Sequence, residues 1–219
     1  MAWTREEIER RVLGVLMEKS LAQPEYYPMT INAIVTACNQ KNNRDPMMDL
    51  DEDAVYHALE ELRLRGAVTV VLPGPGARTK RYKHEVETYF RWQKRERAVM
   101  AELLLRGPQT TGELRSRCAR MAPFESVDVV MNVLDCLAGY EPPCVVKLPR
   151  GAGQSADRYR QLLYEERDLP AEPAPDVSAP PSGAGSRPDA VSLQDAVEAL
   201  QKQVEELSQR VERIENELR

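Results

Sequence analysis

The stretch that decides the fold spans residues 51–83 and reads DEDAVYHALEELRLRGAVTVVLPGPGARTKRYK. Its first half predicts a helix, because Val55, Leu59 and Leu62 recur at spacings of four and three and so share one helical face. A glycine then ends the helix, and the β-branched segment 67–72 favours a strand. Two prolines and two glycines predict a turn, after which the chain returns as a second strand. The stretch is therefore predicted to be a helix followed by a hairpin.

The same plan occurs again later in the chain. Val130, Leu134 and Leu137 repeat the helical stripe, and segment 145–148 reads VVKL, which favours a strand. The Arg-Tyr pair of the first returning strand recurs at 158–159. A helix and a hairpin preceded by two shorter helices is the plan of a winged-helix domain. The repeat therefore predicts two such domains in tandem.

The composition along the chain divides it into four parts. We predict an α+β, mainly helical fold with winged-helix domain 1 at 1–85 and winged-helix domain 2 at 86–167. Segment 168–190 is rich in proline and alanine and too poor in large apolar residues to fold, so it is predicted to be a disordered linker. A C-terminal coiled-coil helix is predicted at 191–219.

Helix starts are marked by capping boxes, in which two side chains satisfy each other's free N–H groups. Thr4 with Glu7 marks the first helix of domain 1, and Thr110 with Glu113 marks the second helix of domain 2. The first helix of domain 2 is predicted to run without interruption over 86–106.

The tail carries a heptad repeat, with valine at most a positions and leucine at most d positions. This choice favours a parallel two-stranded coiled coil, so the protein is expected to be a homodimer. The alternative is a single amphipathic helix that docks on its own domain. The predicted dimerisation residues are Leu193, Val197, Leu200, Val204, Leu207, Val211, Ile214 and Leu218.

Basic residues on the first hairpin and in domain 2 could hold a DNA backbone without reading its sequence. The alternative is solvated charge that protects a strand edge from pairing with another chain. Carboxylates crowd the first turn of the third helix, where they would repel phosphates. The candidate nucleic-acid-binding residues are Arg78, Lys80, Arg81, Lys83, Arg115, Arg117 and Arg120.

A polar loop separates the second and third helices of domain 1. Asparagine tolerates the backbone conformations of turns and helix ends, which favours a structural role. The alternative is a surface of amides and cations that contacts a ligand, a base or a partner. The residues of this candidate surface are Asn39, Gln40, Lys41, Asn42, Asn43 and Arg44.

Side chains that could support catalysis or metal binding are sparse. Four cysteines lie far apart without a C-x-x-C pair, and there are two histidines, His57 and His84. We interpret the cysteines as reduced thiols and expect no metal, no cofactor and no enzyme activity, because no nucleophile, base and orienting group occur together. The chain has no apolar run long enough to span a membrane and begins without a signal peptide, so a cytoplasmic protein is expected.

Three strings of the sequence resemble the bacterial YceH-like family. They are PEYYP at 24–28, ACNQKNNR at 37–44 and LLRGPQTTGELR at 104–115. The resemblance covers most of residues 5–165 and implies two winged-helix domains in tandem with a coiled-coil tail. The family has no assigned function, so the resemblance implies no catalytic or binding residues.

Two functions from different classes are compatible with these observations. The first is a dimeric DNA-binding or transcription-related factor of low sequence specificity, which contacts duplex DNA through its basic hairpin. The alternative is an adaptor that uses its winged helices to bind other proteins and does not bind nucleic acid.

Overall fold

A computed structural model of the chain describes residues 3–72, 79–150 and 156–164. The first half of the described chain contains three helices, a short 3-10 turn and a hairpin. Its elements are α1 (Arg5–Ala22), the 3-10 turn (Pro24–Tyr26), α2 (Ile31–Cys38), α3 (Glu52–Leu64), β1 (Val68–Val71) and β2 (Arg81–His84).

The second half begins with one additional short helix, α4, and then repeats the order of three helices and a hairpin; we refer to it as the second copy. Its elements are α4 (Val86–Phe90), α5 (Lys94–Arg106), β3 (Gln109–Thr110), α6 (Thr111–Cys118), α7 (Val127–Ala138), β4 (Val145–Leu148) and β5 (Arg158–Gln161). The protein is therefore an α+β, mainly helical chain with small sheets. The predicted linker at 168–190 and coiled coil at 191–219 lie outside the described residues.

The two hairpins are matched in their hydrogen bonding. β1 and β2 pair antiparallel with Val68 opposite His84, and β4 and β5 pair antiparallel. In each hairpin, one strand also pairs with a short segment that precedes a helix. Met29 and Tyr82 exchange backbone hydrogen bonds of 3.1 and 2.7 Å, while β3 pairs with β5 to give the strand order β3-β5-β4.

The predicted helix starts are present. Thr4 caps α1 in a complete capping box with Glu7, and Thr110 caps α6 in the same way with Glu113. In α3 and α7, the residues predicted to share one helical face are buried almost completely. These residues are Val55, Leu59 and Leu62, and Val130, Leu134 and Leu137.

The prediction of one continuous helix over 86–106 is wrong. The chain leaves the helical conformation at Arg91, which has a φ of 59°, and α5 begins only after Gln93. The break allows Trp92 to be buried to 2% exposure with its ring stacked on Phe90 at a centroid distance of 4.2 Å. A carboxylate oxygen of Glu96 accepts a hydrogen bond of 2.6 Å from the Gln93 backbone N–H and so caps the new helix start.

Helices α1 and α5 join the two copies. Both are almost entirely buried along their central residues, and apolar side chains from both copies form one continuous core. A Cβ atom at Gly14 would lie 3.0 Å from Leu105 Cγ and 3.1 Å from Leu104 Cβ. A glycine at this position therefore permits the close approach of α1 to α5. The predicted domain boundary between residues 85 and 86 coincides with the start of α4 and stays a prediction.

Candidate functional site

The third helix of each copy presents an exposed face beside its hairpin. On α3 this face carries Asp53, Tyr56 and Glu60, and Tyr56 is 45% exposed. Residues three and seven positions apart lie along one side of a helix, so the three side chains form a stripe. Glu60 accepts a 2.8 Å hydrogen bond from Arg63, and this bond lowers the pKa of Glu60 below its ordinary value.

The equivalent stripe on α7 carries Asp128, Met131 and Asp135, and Met131 is 43% exposed. The α7 sequence, VDVVMNVLDCLA, contains no lysine or arginine. Its surface is therefore acidic and apolar, and no cation of its own helix neutralises it.

Of the candidate basic residues that the structure describes on the first hairpin, two are exposed and one is held in an ion pair. Lys80 and Arg81 are exposed on β2 and the residue before it, and Arg81 donates a 2.7 Å hydrogen bond to the Pro28 carbonyl. Lys83 forms an ion pair of 2.7 Å with Glu85. Arg78 lies outside the described residues.

The candidate arginines of the second copy are held by intramolecular contacts. Arg115 donates to the backbone carbonyls of Phe124 and Glu125 at 3.3 and 2.8 Å, and so holds the loop that follows α6. Arg117 donates to Gln109 Oε1 at 2.7 Å. These side chains are fixed by the fold, which reduces their availability to a phosphate backbone.

Most of the polar loop has a structural role. The Asn39 side chain exchanges two hydrogen bonds of 2.8 Å with the Leu50 backbone. Asn43 adopts a left-handed conformation with a φ of 63°, and its side chain accepts a hydrogen bond from Arg106. Within the loop, Lys41 and Asn42 are exposed, whereas Gln40 accepts a 3.2 Å hydrogen bond from Arg44.

Arg44 belongs to a buried ionic network that connects the two copies. Its guanidinium donates hydrogen bonds of 3.2 and 2.6 Å to the two carboxylate oxygens of Glu18 on α1. Arg120 contacts the same Glu18 carboxylate and lies 2.9 Å from Glu102 of α5. The side chains of both glutamates are at most 1% exposed. Sequence reasoning missed this network, because Glu18 and Glu102 lie on helices without any local signal of burial.

The environment of Glu18 determines its charge. Burial by itself raises the pKa of this carboxyl, but the hydrogen bonds and charge of Arg44, together with the charge of Arg120, lower the pKa overall. Glu18 is therefore ionised at neutral pH and acts as a buried ionic link between α1, the polar loop and the segment after α6.

A shallow groove of about 300 Å³ lies between the N-terminal half of α1 and α3. Its apolar floor comes from Ile8, Ala54 and Ala58. His57 lines this groove and is exposed.

His84 and the cysteines lie mainly in the interior. His84 Nε2 lies 2.8 Å from Ser20 Oγ, and burial lowers the pKa of His84 to about 4. Ser20 Oγ also lies 2.8 Å from the Met17 carbonyl, to which it can donate a hydrogen bond. Cys38 is buried, which raises the pKa of its thiol to about 12, whereas Cys136 is exposed.

Two further features of the described part of the chain concern metal binding and membrane insertion. Within residues 3–72, 79–150 and 156–164, no group of three or more histidine, cysteine, aspartate or glutamate side chains could hold a metal ion. None of the helices in those ranges is both long and apolar enough to cross a lipid bilayer. The predicted dimerisation residues, Leu193 to Leu218, lie beyond the described residues.

Comparison with known proteins gives the family. A family model described as a protein of unknown function, DUF480, matches residues 5–154. The chain belongs to this family. A UPF0502 protein of Geobacter sulfurreducens is 48% identical over 178 residues, which cover 81% of this chain and 79% of that protein. A UPF0502 protein of Geotalea daltonii is 46% identical over 84% of this chain and 82% of that protein. A UPF0502 protein of Koribacter versatilis is also 46% identical, over 79% of this chain and 79% of that protein. The resemblance to the YceH-like family is confirmed, and none of these names states an activity.

Proposed function

We propose that this DUF480 family member is a non-enzymatic, tandem winged-helix adaptor that binds a protein partner. The repeated order of three helices and a hairpin supports the winged-helix assignment, as does the short backbone pairing that each hairpin receives from the segment before a helix. The placement of the two histidines supports the absence of catalysis, since His57 is exposed and His84 is buried against Ser20.

The acidic surface of the third helices carries the proposal. A helix that enters a DNA groove approaches a dense row of phosphates, so carboxylates on it oppose binding. The α3 helix has Glu52 and Asp53 in its first turn, and α7 has Asp128 there and no basic residue. A protein surface can match such a face by presenting lysine or arginine, whereas duplex DNA cannot.

Intramolecular contacts of the candidate cations support the same choice. Lys83 and Arg120 are paired with carboxylates, and Arg115 holds backbone carbonyls. Releasing any of these side chains to a phosphate would cost the contacts it already makes. Homodimerisation through the heptad tail belongs to the proposal, because it would present two adaptors to one partner assembly.

Binding of duplex DNA is the second candidate. The observation that favours it is the exposure of Lys80 and Arg81 at the start of β2. Such a hairpin could contact phosphates without placing a helix in the groove.

Two measurements on the full chain separate the candidates. A titration with random duplex DNA at several salt concentrations should show no saturable binding for an adaptor, whereas phosphate contacts give an affinity that falls steeply with salt. A photo-crosslinking amino acid placed at Tyr56 or Met131 should give discrete protein adducts in cells. The same residue at exposed Asn42 is the matched control. Salt-dependent DNA binding that is lost in Lys80→Ala with Arg81→Ala, without adducts from positions 56 and 131, would overturn the adaptor.

A further inference from the structure

The exposed stripes of α3 and α7 carry the same sequence of side-chain types. Each has a carboxylate, then a large apolar side chain one turn later, then a second carboxylate after a further turn. The two sets occupy equivalent positions, because the buried stripes of the two helices are related by the same spacing. The members are Asp53, Tyr56 and Glu60 on α3, and Asp128, Met131 and Asp135 on α7.

Neither apolar side chain contributes to the core. Tyr56 and Met131 are 45% and 43% exposed, although each is preceded by a valine that is fully buried, Val55 and Val130. A single exposed apolar residue is ordinary on a protein surface. Here an exposed apolar residue recurs at the same position in both copies, each time between two carboxylates. This repeat is a surface feature that the fold does not require.

We propose that each stripe binds a basic, amphipathic segment of a protein partner. The apolar side chain of that segment packs on Tyr56 or Met131, and its lysine or arginine side chains pair with the carboxylates on either side. This inference rests on the adaptor function proposed above and adds the chemistry of the partner. Because the pattern occurs twice, one chain has two docking faces and can bind a partner with two such segments more tightly than either face alone.

Charge complementarity supports this occupant on both helices. On α7, Asp128 and Asp135 have no cation on their own helix to compete for them. On α3, Glu60 is paired with Arg63, but both side chains are substantially exposed, at 31% and 44%. An exposed pair of this kind contributes little stability, so a partner cation can replace Arg63 at small cost.

The test uses the full chain and a defined probe, a fluorescent amphipathic peptide of about 18 residues with leucine on one helical face flanked by lysines. Calorimetry should find two peptides bound per chain, with affinity that weakens as salt rises. Asp128→Asn with Asp135→Asn should weaken binding to α7 by roughly 2- to 25-fold, which is the value of two exposed ion pairs. Met131→Ser should reduce the stoichiometry to one, and adding Tyr56→Ser should abolish binding.

Matched controls make the result specific. Glu25→Gln and Glu141→Gln change the charge equally at exposed positions off the stripes, and both should leave binding unchanged. A peptide with glutamate in place of lysine should not bind. Since Tyr56 and Met131 are exposed, the variants are expected to unfold at the same denaturant concentration as the parent.

Several outcomes would overturn the proposal. Equal affinities for stripe and control variants would show that the peptide binds elsewhere. Loss of self-association in Met131→Ser would assign the stripe to a second copy of this chain, and binding of duplex DNA to the parent chain that is lost in Met131→Ser would assign it to nucleic acid. Protein adducts from positions 56 and 131 with no peptide binding would leave the adaptor function standing and remove only the basic-segment partner.

Discussion

Arg44 joins the polar loop to the buried Glu18 carboxylate, which also receives Arg120 of the second copy. It is fully buried at its side chain, bonds the Glu18 carboxylate with two nitrogen atoms, and donates to the Ala37 carbonyl at 3.0 Å. A two-pronged contact of this kind requires the planar guanidinium, so lysine would not replace it. The residue therefore fixes the polar loop to α1 through both charge and geometry.

Arg44→Met should lower the free energy of unfolding by about 3–5 kcal/mol at neutral pH, because it leaves the buried Glu18 carboxylate with a single arginine partner. Urea denaturation followed by circular dichroism measures this change. The matched control is Lys41→Met in the same loop, where the side chain is exposed and the change should stay within about 0.5 kcal/mol. A loss of similar size in both variants would mean that the ionic network does not determine stability.

The pH dependence of the same network follows from the lowered pKa of Glu18. A carboxyl with a depressed folded-state pKa stabilises the fold above its unfolded-state pKa, and that contribution is lost as the pH falls through the folded-state value. The contribution of Glu18 is therefore complete at neutral pH and disappears only in acid.

At the scale of elements, the polar loop and the third helices have different roles. The loop is bonded inward by Asn39, Asn43 and Arg44, and the Asp45 backbone N–H caps α5 by donating to the Leu105 carbonyl at 2.9 Å. The loop therefore connects α2 to the end of α5, whereas the faces of α3 and α7 point outward.

Asn39→Ala tests the structural role of the loop. The substitution leaves the backbone N–H and C=O of Leu50 without their hydrogen-bond partners. Because Leu50 is only 6% exposed, the loss should cost about 1–3 kcal/mol of folding free energy. Asn42→Ala, an identical change at an exposed position of the loop, should be close to neutral. Thermal unfolding of both variants gives the comparison. If binding to the peptide probe fell in Asn42→Ala while stability did not, the exposed tip of the loop would have a functional role after all.

Local sequence signals account for the elements but not for their assembly. The stripes of α3 and α7 and the caps at Thr4 and Thr110 are determined by neighbours in the chain, so periodicity and capping rules find them. The break at Arg91 depends on the burial of Trp92, which is a tertiary contact without a local signal. The acid and apolar pattern of the third helices was readable from the sequence, but only the exposures of Tyr56 and Met131 show that it lies on the surface.

At the scale of the whole molecule, the two copies share their core and their buried charge. Glu18 of the first copy depends on Arg120 of the second, and Asn43 of the first accepts a hydrogen bond from Arg106 of the second. The α1 helix is buried along residues that pack on α5, including the close approach at Gly14. Each copy therefore supplies part of the environment that the other needs to bury its polar groups.

A chain that ends at Glu85 should consequently fail to fold, although it contains all three helices and the hairpin of the first copy. The shortened chain would expose the side of α1 that packs on α5, and it would therefore lose buried apolar surface. It would also leave the buried Glu18 carboxylate without Arg120, one of its two arginine partners. The expected result is loss of near-ultraviolet circular dichroism and of a cooperative thermal transition. The matched control is a chain that ends at Arg167, which retains both copies and should unfold in one transition. A cooperative transition in the shorter chain would show that the first copy is an independent domain and that the contacts of α1 with α5 join two finished units.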